Sequence, residues 1–436
     1  MKHTFWRTMG AAVATVSLSA ALSWSLPARA DEVVIKCTGC EGSSTDIFLA
    51  ELKRVSDAFN EAYKGQYRIE AEPFSGANND AESIPYYKRL AATGNLPDLF
   101  VGSAYSISDL GKTGALVDWT PILDQEPEWK ASFYDDAFLS LRDSDGNIWG
   151  IPSFRDAIGI FWNRELFANA GVQSFPATWD ELVDASAKLK ATGVTPIAMD
   201  GLWVTLLWWG NLVGTEPGGA EFLKGGNREG NFAANPAVVT GTEHLRQLHT
   251  DGYVNADAFS GDFFSADTQF VTGKAAMLAN GPWEIPSGIK GANAMPGLYD
   301  KLGYAIAPGD GLIVVSGTGS WASGTTDPAK LEAVKAFMKF QNSAEQQRTK
   351  YSKVGGAWPV KLGLTDEELA ATLDPLYLPV FKASETAAHI YPYPQFLLPQ
   401  SFVDAWRNNW PAYAQGGMDT TEFLDLLSDA AVTKTQ

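Results

Sequence analysis

Short apolar runs alternate with amphipathic stretches from residue 32 to the end of the chain. EVVIK (residues 32–36) reads as a buried strand, and the DIFLAELKRVSDAFNEAY stretch after it places Leu49, Leu52, Val55 and Phe59 at helical spacing behind a cap at Thr45 or Asp46. YRIEAE, DLFVG, AIGIFWN, TPIAM, GYAIA and LIVVS are further strand candidates, and AMLAN is a small apolar run that breaks at Gly281-Pro282. Helix starts are written between them. Thr178-Trp179-Asp180-Glu181 is a capping box, while Asn235-Pro236 and Asp327-Pro328 each supply a cap and a first-turn proline. Gly193 and Gly252 stand where helices should stop. Strands separated by helices predict an α/β chain with mainly parallel sheets covered on both faces. Such sheets bind ligands at the carboxyl ends of their strands, so two facing lobes would share one cleft.

The first thirty residues stand apart from this pattern. A basic start at Lys2 and Arg7, an apolar stretch from Met9 to Leu26 and the small-x-small site Ala28-Arg29-Ala30 read as a cleavable signal peptide, with the mature chain beginning at Asp31. An uncleaved anchor is the alternative, and the stretch is near the lower limit for a span. A lipid anchor would need a cysteine at the cleavage point, whereas the first one is Cys37. The reading is export to the periplasm as a monomer. The roughly 400 residues that follow exceed what one core usually holds, and two lobes of about two hundred residues are expected.

Composition narrows the partners. The formal net charge of −18 argues against nucleic acid and anionic lipid, both of which reward Lys and Arg. The two cysteines form Cys37-Thr38-Gly39-Cys40. In an oxidising compartment they are expected to close a small disulfide loop; a thioredoxin-like redox site is the alternative reading, and zinc finds no histidine at ligand spacing. Nucleotide-binding, serine-hydrolase and zinc-protease motifs are not found, and no cofactor or metal is expected. Asp143-Ser144-Asp145-Gly146-Asn147 resembles half of a calcium loop, but its glycine falls at the fourth position and it reads better as a hairpin turn. Asp156, Asp200 and Glu284 are the carboxylates that a glycosidase pair would draw on.

The 15 tryptophans are the excess in this chain. Trp203, Trp283, Trp321 and Trp358 sit beside Gly, Pro, Ser or a charge, where a turn would expose one ring face, whereas Trp208 and Trp209 lie inside an apolar run and read as core. A pyranose offers C–H faces to such rings and hydroxyls at its edge. One indole covering roughly 100 Å² of sugar contributes about 2.5 kcal/mol. A charge-assisted hydrogen bond contributes about 1.5 to 3 kcal/mol. Two rings and four such bonds exceed the association cost of at least about 4 kcal/mol by enough for micromolar affinity.

Several strings occur in an ordered set: RLAATGNLPDLFVG, GALVDWTPIL, DGNIWGIPSFRDAIGIFWNRELFANAGV, PATWDELVDASAKLKATGVTPIAM, FVTGKAAMLANGPWEI and AVKAFMKFQNSAEQQ. Together they resemble the family 1 extracellular solute-binding proteins of bacterial ABC importers, the maltose-binding-protein group. The resemblance implies a two-lobe periplasmic-binding-protein fold with a hinge of several crossings, a sugar or oligosaccharide in the interlobe cleft, a membrane permease as partner, and no catalysis. It places one lobe at 31–156 plus 322–384 and the other at 157–321 plus 385–436, with crossings near RDAIG, GTGSWAS and ASETAAHI. It makes Trp283 the stacking ring of the second lobe. It assigns ligand contacts to the loop with Ser43, Ser44 and Asp46, to GSAYS with Ser103 and Tyr105, and to the segment from Asp200 to Trp203. Trp321, Trp358 and Tyr393 are further candidates. Glu284 is read as a partner for a ligand hydroxyl or as a backbone cap. Arg155 is read as an anion ligand or as half of an ion pair. The cysteine pair in the first loop departs from the family pattern.

Overall fold

The computed structural model describes residues 31–43, 46–74, 80–143, 145–225, 231–316 and 319–432. The expected signal peptide and Ser44 lie outside the described residues, as does the side chain of Tyr105.

The described residues form ten strands: β1 (Val33–Thr38), β2 (Tyr67–Glu72), β3 (Leu99–Gly102), β4 (Asp156–Asn163), β5 (Thr195–Ile197), β6 (Ala275–Asn280), β7 (Leu302–Ala305), β8 (Gly311–Val315), β9 (Ser320–Ala322) and β10 (His389–Pro392). They build two sheets, one in the order β2-β1-β3-β9 and one in the order β10-β8-β4-β6-β5, with β7 also on β4. In the first, β1 runs parallel to β2 and β3 (Val33 opposite Tyr67, Cys37 opposite Leu99). β9 closes its edge antiparallel, Trp321 opposite Val101. In the second, β5 is parallel to β6 and β10 to β8, but β4 runs antiparallel to β6, β7 and β8. The sheets are therefore mixed rather than mainly parallel. A strand that enters its sheet from the other lobe need not follow the direction set by helical crossovers within the sheet.

The local signals act where the sequence places them. The helix Ile47–Ala62 buries Leu49, Leu52, Val55 and Phe59, and Asp46 caps it through bonds from the amides of Phe48 and Leu49. The Thr178–Glu181 capping box opens the helix Trp179–Ala191, and Asn235 and Asp327 cap Pro236–Thr250 and Pro328–Gln341. Gly193 and Gly252 follow helix ends at positive φ. TPIAM is strand only to Ile197, because the Asn255 side chain takes both the N–H and the C=O of Met199.

Each sheet has its own core. Ile35, Leu99, Val101, Phe59, Phe337 and Trp321 fill the first; Ile160, Phe161, Met277, Leu278, Trp208 and Trp209 belong to the second, larger one. The chain leaves the first sheet between Ile151, which bridges to Trp321, and Asp156, the start of β4. It returns between β8 and β9, so Trp321, expected at the end of the second lobe, lies in the sheet of the first.

Candidate functional site

The carboxyl ends of β1, β5, β6 and β10 and the amino end of antiparallel β4 converge on one cavity of about 380 Å³. Each delivers a side chain. The segment after β1 brings Asp46, Ile47 and Phe48, the start of β4 brings Phe154 and Asp156, and the segments after β5, β6 and β10 bring Trp203, Trp283 and Phe396. Ser287, Val354 and Gly356 complete the lining. The walls are aromatic: Phe48 lies 5.4 Å from Phe154, and Trp203 lies 6.2 Å from both Trp283 and Phe396, centroid to centroid. Gly356 leaves room for Phe154, since a Cβ there would stand 2.6 Å from that ring.

Polar groups at the cavity are tied down from behind. Asp46 Oδ1 accepts from the amides of Phe48 and Leu49 at 2.8 and 3.0 Å, and Ser43 Oγ accepts from the Asp46 amide at 3.0 Å. Asp156 accepts from the Ala357 amide; burial pushes its pKa up. Lys350 donates to the Ser153 carbonyl and sits 3.9 Å from the Phe154 ring centroid; burial pushes its pKa down. The charges of Asp156 and Lys350 each favour ionisation of the other.

Of the residues expected at the site, the cavity gathers Asp46, Trp203 and Trp283, with Ser43 one hydrogen bond behind. The others serve different ends. Asp200 is a helix cap that accepts from the amides of Leu202, Trp203, Val204 and Thr205, so it aims Trp203 but has its oxygens occupied. Glu284 is 1% exposed and accepts from Asn280 Nδ2 at 2.7 Å instead of facing the cavity. Tyr393 is buried; its ring backs Trp203 at 4.7 Å and its hydroxyl donates to the Trp203 carbonyl. Trp321 is fully buried edge-on against Phe337, a core residue of the first sheet rather than a platform. Ser103 caps the helix Ala104–Gly111 and does not line the cavity. Cys37 and Cys40 are bonded to each other and buried, which fixes the turn that leads to Ser43.

Arg155 and Trp358 face a second, larger cavity of about 700 Å³. Successive residues alternate sides here, so Phe154 and Asp156 line the first cavity while Arg155 points into the second. The guanidinium is already satisfied: it grips both oxygens of Asp136 at 2.6 Å, donates to Ser384 at 2.9 Å and lies over the Tyr134 ring. Trp358 is 1% exposed and packs on Phe381. The smaller cavity is the better candidate, because strand ends and half-exposed rings converge on it.

Phe48, Phe154 and Phe396 were not found by sequence reasoning. A signal existed for the first: Ile47 and Phe48 are apolar positions off the buried Leu49–Phe59 stripe, and Ile47 is indeed 51% exposed. Phe154 and Phe396 carry no comparable mark.

Known proteins share this architecture. The family profile described as bacterial extracellular solute-binding protein matches residues 42–348. A multiple sugar-binding protein of Streptococcus mutans is 25% identical over 52% of this chain and 55% of its own length. An sn-glycerol-3-phosphate-binding periplasmic protein of Rhizobium meliloti is 25% identical over 51% of this chain and 52% of its own. The chain thus spans about half the length of these two relatives. A solved chitin oligosaccharide binding protein superposes with a TM-score of 0.71, covering 92% of this chain and 98% of its own at 24% identity. The chain belongs to the bacterial extracellular solute-binding protein family and has its two-lobe α/β fold.

Proposed function

We propose that this chain is the periplasmic binding component of an ABC importer and that it holds a neutral sugar or oligosaccharide in the aromatic cavity without altering it. The composition of that cavity carries the reading. Five aromatic rings line it, and the charged side chains on its surface among the described residues are those of Asp46 and Asp156, with Lys350 held behind the Phe154 ring. Rings match the C–H faces of a pyranose and carboxyls match its hydroxyls, whereas a phosphate would meet no Lys or Arg on the cavity surface. Arg155, the cation that could have favoured an anionic glycoside, is consumed by Asp136 and Ser384. Two of the three carboxylates that suggested a hydrolase, Asp200 and Glu284, are engaged by amides, which supports binding over catalysis.

The lobes take the boundaries 31–156 with 322–384 and 157–321 with 385–436, adjusted so that Ser320–Ala322 joins the first sheet. They close over the ligand as a monomer and present the closed form to the permease. Residues 1–30 direct export and are removed. Calorimetry with maltose, N,N′-diacetylchitobiose, xylobiose, raffinose and glycerol 3-phosphate tests this. The expected outcome is micromolar or tighter binding of at least one neutral saccharide with the sugar recovered unchanged. Binding of glycerol 3-phosphate alone, or hydrolysis of the sugar, overturns the reading.

A further inference from the structure

Trp203 and Trp283 come from segments some eighty residues apart, yet buried polar groups join them from beneath. Trp203 Nε1 donates to Asn280 Oδ1 at 3.2 Å, and Asn280 Nδ2 donates to Glu284 Oε2 at 2.7 Å. Glu284 is the next residue after Trp283. The chain of contacts does not end there. Glu284 Oε1 and Asp267 Oδ1, the latter on the helix Phe263–Val271, are both buried, and neither has a hydrogen-bond donor among the described residues. Gly288 lets them meet, since a Cβ on it would stand 1.6 Å from the Glu284 oxygen and 2.8 Å from the Asp267 oxygen. Two carboxyl oxygens in one pocket with no outside donor are both satisfied if one proton lies between them.

We propose that Asn280, Glu284 and Asp267 are positioning residues of the binding site: a proton shared by the two carboxyls holds the Asn280 amide, the amide holds the Trp203 indole against Trp283, and loss of that proton as pH rises frees the platform. Burial, followed by the neighbouring Asp267, holds the Glu284 carboxyl well above the usual carboxylate range, with Asn280 pulling the other way. Among the described residues Tyr304 of β7 also faces the pair: its hydroxyl donates to the Asn280 carbonyl at 2.6 Å, and Glu284 helps to raise its pKa. None of the groups acting on Glu284 is a cation, so no opposite charge offsets the repulsion once both carboxyls ionise. A carboxyl raised in the folded state stabilises it below the ordinary carboxylate pKa, and that contribution fades as pH rises through the raised value. The loss therefore comes with rising pH.

Ligand release rests on the sugar-binding reading; the locked platform does not, and the test separates them. In the ligand-free protein, infrared difference spectra of wild type against Glu284→Gln should show one protonated carboxyl at neutral pH that disappears as pH rises. The near-ultraviolet circular dichroism of the tryptophans should change over the same pH range in wild type and stay flat in Glu284→Gln, whose amide can accept from Asn280 and donate to Asp267. With N,N′-diacetylchitobiose as probe, Glu284→Gln should bind within twofold of wild type at neutral pH and lack the loss with rising pH, while Glu284→Ala binds on the order of tenfold more weakly. Absence of the carboxyl band, or the same pH curve in Glu284→Gln as in wild type, overturns the proposal. If the probe fails to bind while the ligand-free spectra titrate as described, that sugar assignment falls and the positioning device stands.

Discussion

Trp283 follows Gly281-Pro282, where β6 ends and the chain must turn, so its ring lies over Gly281 beside Trp203 and stays partly exposed at the cavity. Trp283→Ala should weaken saccharide binding by about 2.5 kcal/mol, roughly seventyfold, read by calorimetry. Its effect on unfolding by urea should be under about 1 kcal/mol, because a partly exposed ring leaves little cavity behind. Arg155 behaves in the opposite way. Its removal strands Asp136 beside a buried cavity wall, so Arg155→Ala should cost about 3 to 5 kcal/mol in urea unfolding and leave the preference for neutral sugars intact. The sequence distinguished these two only in part. Glycine and proline around Trp283 marked a turn, but the same kind of flanking residues surround Trp321, which is fully buried. Turn residues report where the backbone bends, and not which face of the bend another element will cover.

At the scale of single elements, the helix Trp203–Gly214 shows how a cap becomes part of a site. Leu202, the residue before it, has no capping side chain, and Asp200 supplies one by accepting from the Leu202 amide and from the first three amides of the helix. Asp200→Ala should therefore destabilise the fold by about 1 to 2 kcal/mol in thermal or urea unfolding. It should also lower sugar affinity more than a cap elsewhere, such as Thr178→Ala, because Trp203 starts this helix. Helix starts were legible because capping is local chemistry between a side chain and amides two or three residues away. The strands Ser320–Ala322 and His389–Pro392 were not, since three or four residues carry no periodicity and become strands only by pairing with β3 and β8.

For the whole molecule, stability is coupled to ligand and to pH. A saccharide at a hundred times its Kd should stabilise the protein by about 2.7 kcal/mol, visible as a higher melting temperature. Acid should do the reverse. Burial beside Phe259 and Trp410 pushes the His249 pKa down to about 4, and its Nε2 has no partner among the described residues. The folded protein thus binds this proton less well than the unfolded chain, and stability present above the ordinary histidine pKa is lost as pH falls towards about 4. The loss should reach at most about 3 kcal/mol, reduced by the partial exposure of the ring. Urea unfolding at a series of pH values checks it, and His249→Phe should flatten the curve. Taken alone, the sequence determined the α/β class, the helix starts, the cysteine pair and the ordered strings of the family, because each is written within a few neighbouring residues or as a linear order of segments. Only the tertiary structure decided which tryptophans face the cavity, that Arg155, Asp200 and Glu284 are held by protein partners, and that Phe48, Phe154 and Phe396 complete the wall. Those facts depend on which distant segments the hinge brings face to face, and a linear pattern holds no record of that choice.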